Sequence, residues 1–480
     1  MLGYAKTSDL GGGLRVNTAS LAVASVFVAY AALSWQAFST TGPQVRFHES
    51  GDTIAYLRMA KLPVNGREFL AGERMFLYAL LLKATRSNLS VAGYVQTIVS
   101  ILSWGFLALT TRSLAATTLG KTVCFALVLT CALREEVLFW NSMSLSESLS
   151  LSCFALWVGS WLMFMRKRHW FWKLFPLVTS FLLASVRDTN AFLVLGAAIL
   201  LAAASACRLA SRWNLLTSLV LAAFFLGGIA SRSVSVRADF SLQNNLGGRI
   251  FVDRRRTAEL QASGMPNQLS QVGMAYLAGR CGVEFVTMFE ELYFLEPSGA
   301  AALAQWVGTV GQRNYLAFLL RHPAYLLLQP FHEDGLLKLV FPLAGWVAYQ
   351  GCSPPLRDAL PPGFHTALPT WMTNLIRGEN PGWFLGLWAL TSVAAGLSCA
   401  RHCSNRRLLL FPLALLLGAV PHLLVIWHGD ALDLPRHALL AGIQVHLGFA
   451  LALGLASDRL AELRRSRAAI AALTRARARA

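Results

Sequence analysis

Residues 17–38 read NTASLAVASVFVAYAALSWQAF, and close behind them residues 48–58 read HESGDTIAYLR. The first run carries no charge and is about as long as a bilayer crossing requires. The second sets acids at its mouth: if 49–58 is helical, Glu49, Asp52 and Tyr56 stand at i, i+3 and i+7 on one face. Apolar runs like the first recur along all 480 residues, which are 55% hydrophobic with a mean hydropathy of +0.50. The fold class that follows is an all-α polytopic membrane protein. Lipid offers no partners to backbone N–H and C=O groups, so each crossing run has to satisfy them within its own helix.

About ten transmembrane helices are marked, near 17–38, 93–111, 114–133, 144–164, 174–186, 190–206, 214–231, 381–399, 408–427 and 437–456. Two further apolar stretches, 315–330 and 335–349, make the count twelve if both cross, with sidedness unchanged. The chain then divides into an N-terminal transmembrane module (1–235) with a long first external loop (39–92), a small external helical domain (236–378), C-terminal transmembrane helices (379–457) and a basic cytoplasmic tail (458–480). Within the first loop, the apolar run 75–84 is too short to span and reads as an interfacial helix.

A net charge of +18 raises nucleic acid as a partner, but the location of the charge removes it. With the N-terminus in the cytoplasm, the cytoplasmic segments hold 20 of the 42 Lys and Arg but three of the 24 Asp and Glu, leaving 22 and 21 on the other side. That is the positive-inside pattern. The Arg-rich tail after Ser457 is then an anchor on anionic membrane lipid. Both termini are expected in the cytoplasm of a plasma (inner) membrane, with no nucleic-acid partner. The first run is followed by no small-residue cleavage site and reads as a retained span. Cys281 and Cys352 share the external side and can pair in an oxidising compartment, a question the sequence leaves open.

Three more helix mouths on the external side carry ionisable groups. Glu147 sits in Ser144-Leu145-Ser146-Glu147-Ser148; it can complete a capping box with Ser144 and can take a cationic partner, and the two readings are compatible. Arg187, ending span five, is the obvious such partner. Residues 427–437, WHGDALDLPRH, bring Arg436 and His437 to the same side, where Arg58 and Lys338 also lie. The triple arginine 254–256 reads as a solvated face. Arginines at headgroup level can hold a phosphate in bidentate fashion. A nearby carboxylate can accept a proton from an attacking hydroxyl. Both are what sugar transfer from a lipid phosphate needs, since charge grows on the departing phosphate in the transition state. The catalytic candidates are Asp52 and Glu49; the substrate- and phosphate-binding candidates are Arg436, His437, Arg187, Lys338, Arg58, Tyr56 and Glu147.

At this point the chain resembles the GT-C superfamily of membrane glycosyltransferases, which includes polyprenyl- or dolichyl-phosphate-sugar-dependent mannosyltransferases and the lipid A aminoarabinose transferases. The resemblance covers most of the chain. It rests on the acid of the first external loop with the run 74–82 (RMFLYALLL) after it, on Ser146-Glu147-Ser148, and on the acid followed by Arg-His between Asp430 and His437. It implies an inverting glycosyltransferase of the cell envelope, active on the extracytoplasmic face. The donor would be a polyprenyl-phosphate-linked sugar and the acceptor a glycan, lipid or protein. By the same resemblance Asp52 stands at the base position, Glu49 is a secondary acid, and Arg436, with Arg187 or Lys338, contacts the phosphate. The two acids are three residues apart, with no adjacent or Asp-x-Asp pair. No cofactor is therefore firmly implied, divalent-metal dependence stays open, and so does the choice between Glu49 and Asp52. The competing class is a secondary transporter or flippase for a lipid-linked or anionic substrate. No internal repeat of spans and no charge pair near mid-membrane favours it.

Overall fold

The computed structural model describes residues 18–41, 51–167, 169–207, 212–233, 237–332, 390, 406–429, 431 and 434–479. Among them the regular structure is entirely helical. We number the helices that carry the argument: α1 (Thr18–Thr41), α2 (Gly51–Lys61), α3 (Phe76–Ala84), α4 (Leu89–Leu114), α5 (Thr118–Ala132), α6 (Glu147–Arg166), α7 (Phe171–Ala184), α8 (Asp188–Ala206), α9 (Arg212–Ser233), α10 (Arg406–Gly429) and α11 (Leu434–Arg479). Seven of the described helices, α1, α4, α6, α8, α9, α10 and α11, are long and apolar enough to cross a membrane. Helices α5 and α7 are apolar but shorter, at 15 and 14 residues. Helices thus occupy nine of the ten expected runs. The tenth, 381–399, lies outside the described residues except at Leu390, as do Glu49, Lys338, Cys352, Asp430, Asp433 and the stretch 335–349.

Local chemistry fixes several helix starts. The Asn88 side chain accepts from the Val91 amide at 3.1 Å to open α4, and the Thr117 hydroxyl accepts from the Gly120 amide at 3.0 Å to open α5. The capping box expected of Ser144 and Glu147 does not form. Ser146 is the N-cap and makes no side-chain cap bond, and the Glu147 carboxylate turns to guanidiniums instead. The run 75–84 becomes α3, which buries Tyr78, Ala79 and Leu82 in a cluster shared with α2. There the Tyr56 and Tyr78 rings meet edge-on at 4.8 Å.

The main core lies among α4, α5, α6, α8 and α11, with Trp104, Leu107, Phe154 and Val158 fully buried. Helix α11 runs 46 residues, about 69 Å at 1.5 Å per residue, more than twice a hydrocarbon core. It packs against α5 through small residues: a Cβ at Gly120 would strike Asp458, and one at Gly454 would strike Cys124. Asp458 is itself a fastener. Its carboxylate accepts from the Ala116 amide at 2.9 Å and from the Thr117 amide and hydroxyl at 2.7 Å each. Arg436 stands on the same helix about 33 Å away, roughly one membrane thickness.

Between α9 and α10, residues 237–332 fold into short helices whose core is continuous with α10 and α11 through Trp427, Leu434 and Ala438. Arg249, in the π-helical turn Leu246–Ile250, lies over the Trp427 ring at 4.0 Å. The triple arginine is divided. Arg254 and Arg255 are exposed, as a solvated face requires, whereas Arg256 is partly buried over the Tyr325 ring at 5.0 Å and departs from that reading. The Cys281 thiol donates to the Asn244 carbonyl at 3.5 Å.

Candidate functional site

The site is built where α2, α6, α8 and α11 begin. Asp52 occupies the first turn of α2. The buried Thr53 hydroxyl next to it donates to the Ser144 carbonyl at 3.2 Å, pinning this turn against the approach to α6. The two Asp52 oxygens are taken by different cations: Arg74 Nη2 donates to Oδ1 and Arg436 Nη2 to Oδ2. Arg436 also donates from Nε to Glu147 Oε1, and Arg187 Nη1 donates to that same oxygen at 2.7 Å. Arg187 Nη2 in turn lies 3.4 Å from His437 Nδ1. The result is one continuous chain, Arg74–Asp52–Arg436–Glu147–Arg187–His437.

Exposure divides the two acids. The Asp52 side chain is 21% exposed and reachable, while that of Glu147 is 1% exposed and sealed. Among the described residues three guanidiniums meet two carboxylates here, with Arg436 bridging both acids. Burial pushes the Asp52 carboxyl up, but Arg436 and Arg74 outweigh it and hold it well below the usual carboxylate range. Burial likewise pushes up the nearby Tyr56 phenol, which hydrogen-bonds with Ser146. Beneath the chain is a small cavity lined by Glu147, Ser150, Leu151, Arg187, Asn190 and Arg436, together with Thr189, His437, Leu439 and Leu440.

Of the residues singled out in the sequence, the structure brings together Asp52, Glu147, Arg187, Arg436 and His437, with Tyr56 buried beside them. Arg58 stands apart, in an exposed ion pair with Glu73 at 2.7 Å. Glu49 and Lys338 lie outside the described residues. Arg74 and Asn190 belong to the site and were not singled out. In sequence Arg74 is the charge that opens an apolar run, and Asn190 is a neutral side chain at the very start of a span. A further pair, Arg237 with Asp188 at 3.0 Å, closes the side of α8 and is matched one to one. Among the described residues no group of three or more His, Cys, Asp or Glu side chains converges in a way that would hold a metal ion. Compared with known proteins, the chain matches no family model, no curated protein and no solved structure.

Proposed function

We propose that the chain is a GT-C-like membrane glycosyltransferase that moves a sugar from a polyprenyl-phosphate donor to an acceptor hydroxyl. In this reading it has about ten spans, a small helical domain on the side of Arg436, and both termini in the cytoplasm. It sits in the plasma (inner) membrane, and the Arg436 end opens to the extracytoplasmic face. The observation that carries the reading is the convergence of Asp52 and Glu147 with three guanidiniums, one of which, Arg436, bridges both acids. A phosphate at headgroup level competes with these acids for the guanidiniums, and the fork of arginine suits its oxygens.

The chemistry follows from competition for those guanidiniums. Pinned by Arg74 and Arg436, Asp52 is ionised but a weak base. A donor phosphate that takes over Arg436 releases one Asp52 oxygen and restores its basicity. The acceptor oxygen then attacks the anomeric carbon from the face opposite the phosphate, and its proton passes to Asp52. The bond from the anomeric carbon to the phosphate oxygen breaks, its electron pair leaves with polyprenyl phosphate, and Arg74, Arg187 and Arg436 hold the charge that grows there. Glu49 and Lys338 enter as a second acid and a further cation. The test is release of polyprenyl phosphate from polyprenyl-phosphate mannose, glucose or arabinose by purified protein, wild type beside Asp52→Asn. Turnover by wild type, reduced about 10²- to 10⁴-fold in the variant, is expected; equal turnover by the two sinks the role of Asp52.

One observation favours the transporter reading. His422 and Gln444 form a buried 3.0 Å pair between α10 and α11, away from the helix mouths, and buried polar groups inside spans are often part of a translocation path. Movement of intact lipid-linked sugar across vesicles, without release of polyprenyl phosphate, is the result that selects it.

A further inference from the structure

Two residues lining the cavity beneath the guanidinium chain each carry an acceptor with no hydrogen-bond partner among the described residues: Glu147 Oε2 and Asn190 Oδ1. Both residues are 1% exposed. The rest of each side chain is committed. Glu147 Oε1 accepts from Arg187 and Arg436, and Asn190 Nδ2 donates to Ser150 Oγ at 2.9 Å and to the Leu183 carbonyl at 3.2 Å. Buried acceptors cost free energy until a donor reaches them, and two on one cavity also repel each other. The cavity therefore calls for a donor, and it has room for about one water-sized group.

The surroundings narrow the class of that donor. Arg187 and Arg436 stand at the same cavity and repel an ammonium group. The orphan acceptors repel an anion. A neutral hydroxyl fits both conditions, and Leu151, Leu439 and Leu440 offer an apolar wall to the carbon skeleton that carries it. We propose that Glu147 and Asn190 form a hydroxyl-recognition subsite for the donor sugar, in which Asn190 determines specificity. This rests on the glycosyltransferase reading. Because the cavity adjoins the guanidiniums assigned to the phosphate, the hydroxyl it reads is the one on the carbon next to the anomeric carbon. Its single proton is shared between Glu147 Oε2 and Asn190 Oδ1 in a three-centre bond, so losing Asn190 removes one of the two acceptors. Hydrogen bonds to that hydroxyl strengthen as a glycosyl transition state forms, so the subsite bears on rate as well as affinity.

The experiment compares binding of polyprenyl-phosphate mannose, glucose and arabinose, their 2-deoxy analogues, and polyprenyl phosphate without sugar. It uses purified full-length protein as wild type, Asn190→Ala and Ser150→Ala. We expect wild type to hold a 2-hydroxy donor about tenfold or more tighter than its 2-deoxy analogue. Asn190→Ala brings that ratio towards one while binding of bare polyprenyl phosphate stays unchanged. Ser150→Ala loosens the amide of Asn190 but keeps its Oδ1, and so keeps the ratio. An unchanged ratio in Asn190→Ala overturns the subsite and leaves a buried water as the occupant. Equal losses in both variants, with bare lipid also weakened, overturn it in favour of a structural role. If wild type holds bare polyprenyl phosphate but never distinguishes the 2-deoxy analogues, this inference alone falls. If it holds no polyprenyl phosphate, the glycosyltransferase reading falls and takes the inference with it.

Discussion

The two ends of α11 treat buried carboxylates in opposite ways. At one end Asp458 is held by two backbone amides and a hydroxyl from the start of α5, and Gly120 closes over it so tightly that no Cβ fits. At the other, Asp52 and Glu147 are held by the side chains of Arg74, Arg187 and Arg436, with one Glu147 oxygen unsatisfied and a cavity beneath. Releasing a carboxylate fastened by backbone strands amide donors that have no side chain to turn towards another acceptor. One fastened by guanidiniums can be exchanged for another anion at the cost of a few side-chain rotations. The proposed function uses the Arg436 end, and the Asp458 end serves as a joint between α5 and α11.

The comparison can be broken by removing one acid from each end. Glu147→Ala leaves Arg187 and Arg436 without their buried partner, and a loss of about 3–5 kcal/mol is expected in unfolding measured in detergent. A melting temperature like that of wild type would mean the guanidiniums are not confined as described. Asp458→Ala strips two amides and a hydroxyl of their acceptor and should cost about 1–3 kcal/mol, with no change in affinity for polyprenyl phosphate. A change in that affinity would erase the distinction between the two ends.

Much of this was legible in the sequence, for physical reasons that also explain what was not. Spans announce themselves because a run of about 20 apolar residues has few other uses. The Glu147–Arg187 pair was legible because each is the charge at a helix mouth and both mouths fall on one side. Arg74 was hidden because Lys61, Arg67, Glu68 and Glu73 crowd the same loop. Spacing along the chain does not say which of these reaches Asp52. Asn190 was hidden because an amide is ordinary near a helix start, and its role depends on α6 packing beside it. Asp458 carries no signal in the sequence, since capping the start of a helix more than 300 residues earlier leaves no local pattern. Arg256 left the solvated face expected of a triple arginine because Tyr325, far along the chain, offered its ring.

A finer test sharpens the account of the exchangeable end through pH. Because its pKa is lowered in the fold, ionised Asp52 contributes stability that is fully present above its unfolded pKa and is lost as pH falls through the lowered folded value. Arg74→Gln removes one of the two cations that outweigh burial, so the acid limb of both stability and turnover should move to higher pH than in wild type. A limb that does not move, or moves down, would show that Arg74 does not govern Asp52. The smallest effect is expected at Arg58→Ala, which breaks an exposed pair worth about 0–1 kcal/mol and should leave donor binding and turnover unchanged.

The most direct measurement is equilibrium binding of polyprenyl phosphate to purified protein in lipid nanodiscs, comparing wild type, Arg436→Lys and Asp458→Ala. Lysine keeps the charge of Arg436 but loses the planar fork that bridges Asp52 and Glu147. The account predicts binding by wild type, a loss of about tenfold or more in Arg436→Lys, and wild-type affinity in Asp458→Ala. Binding by Arg436→Lys that equals wild type, or no binding by wild type, would contradict it.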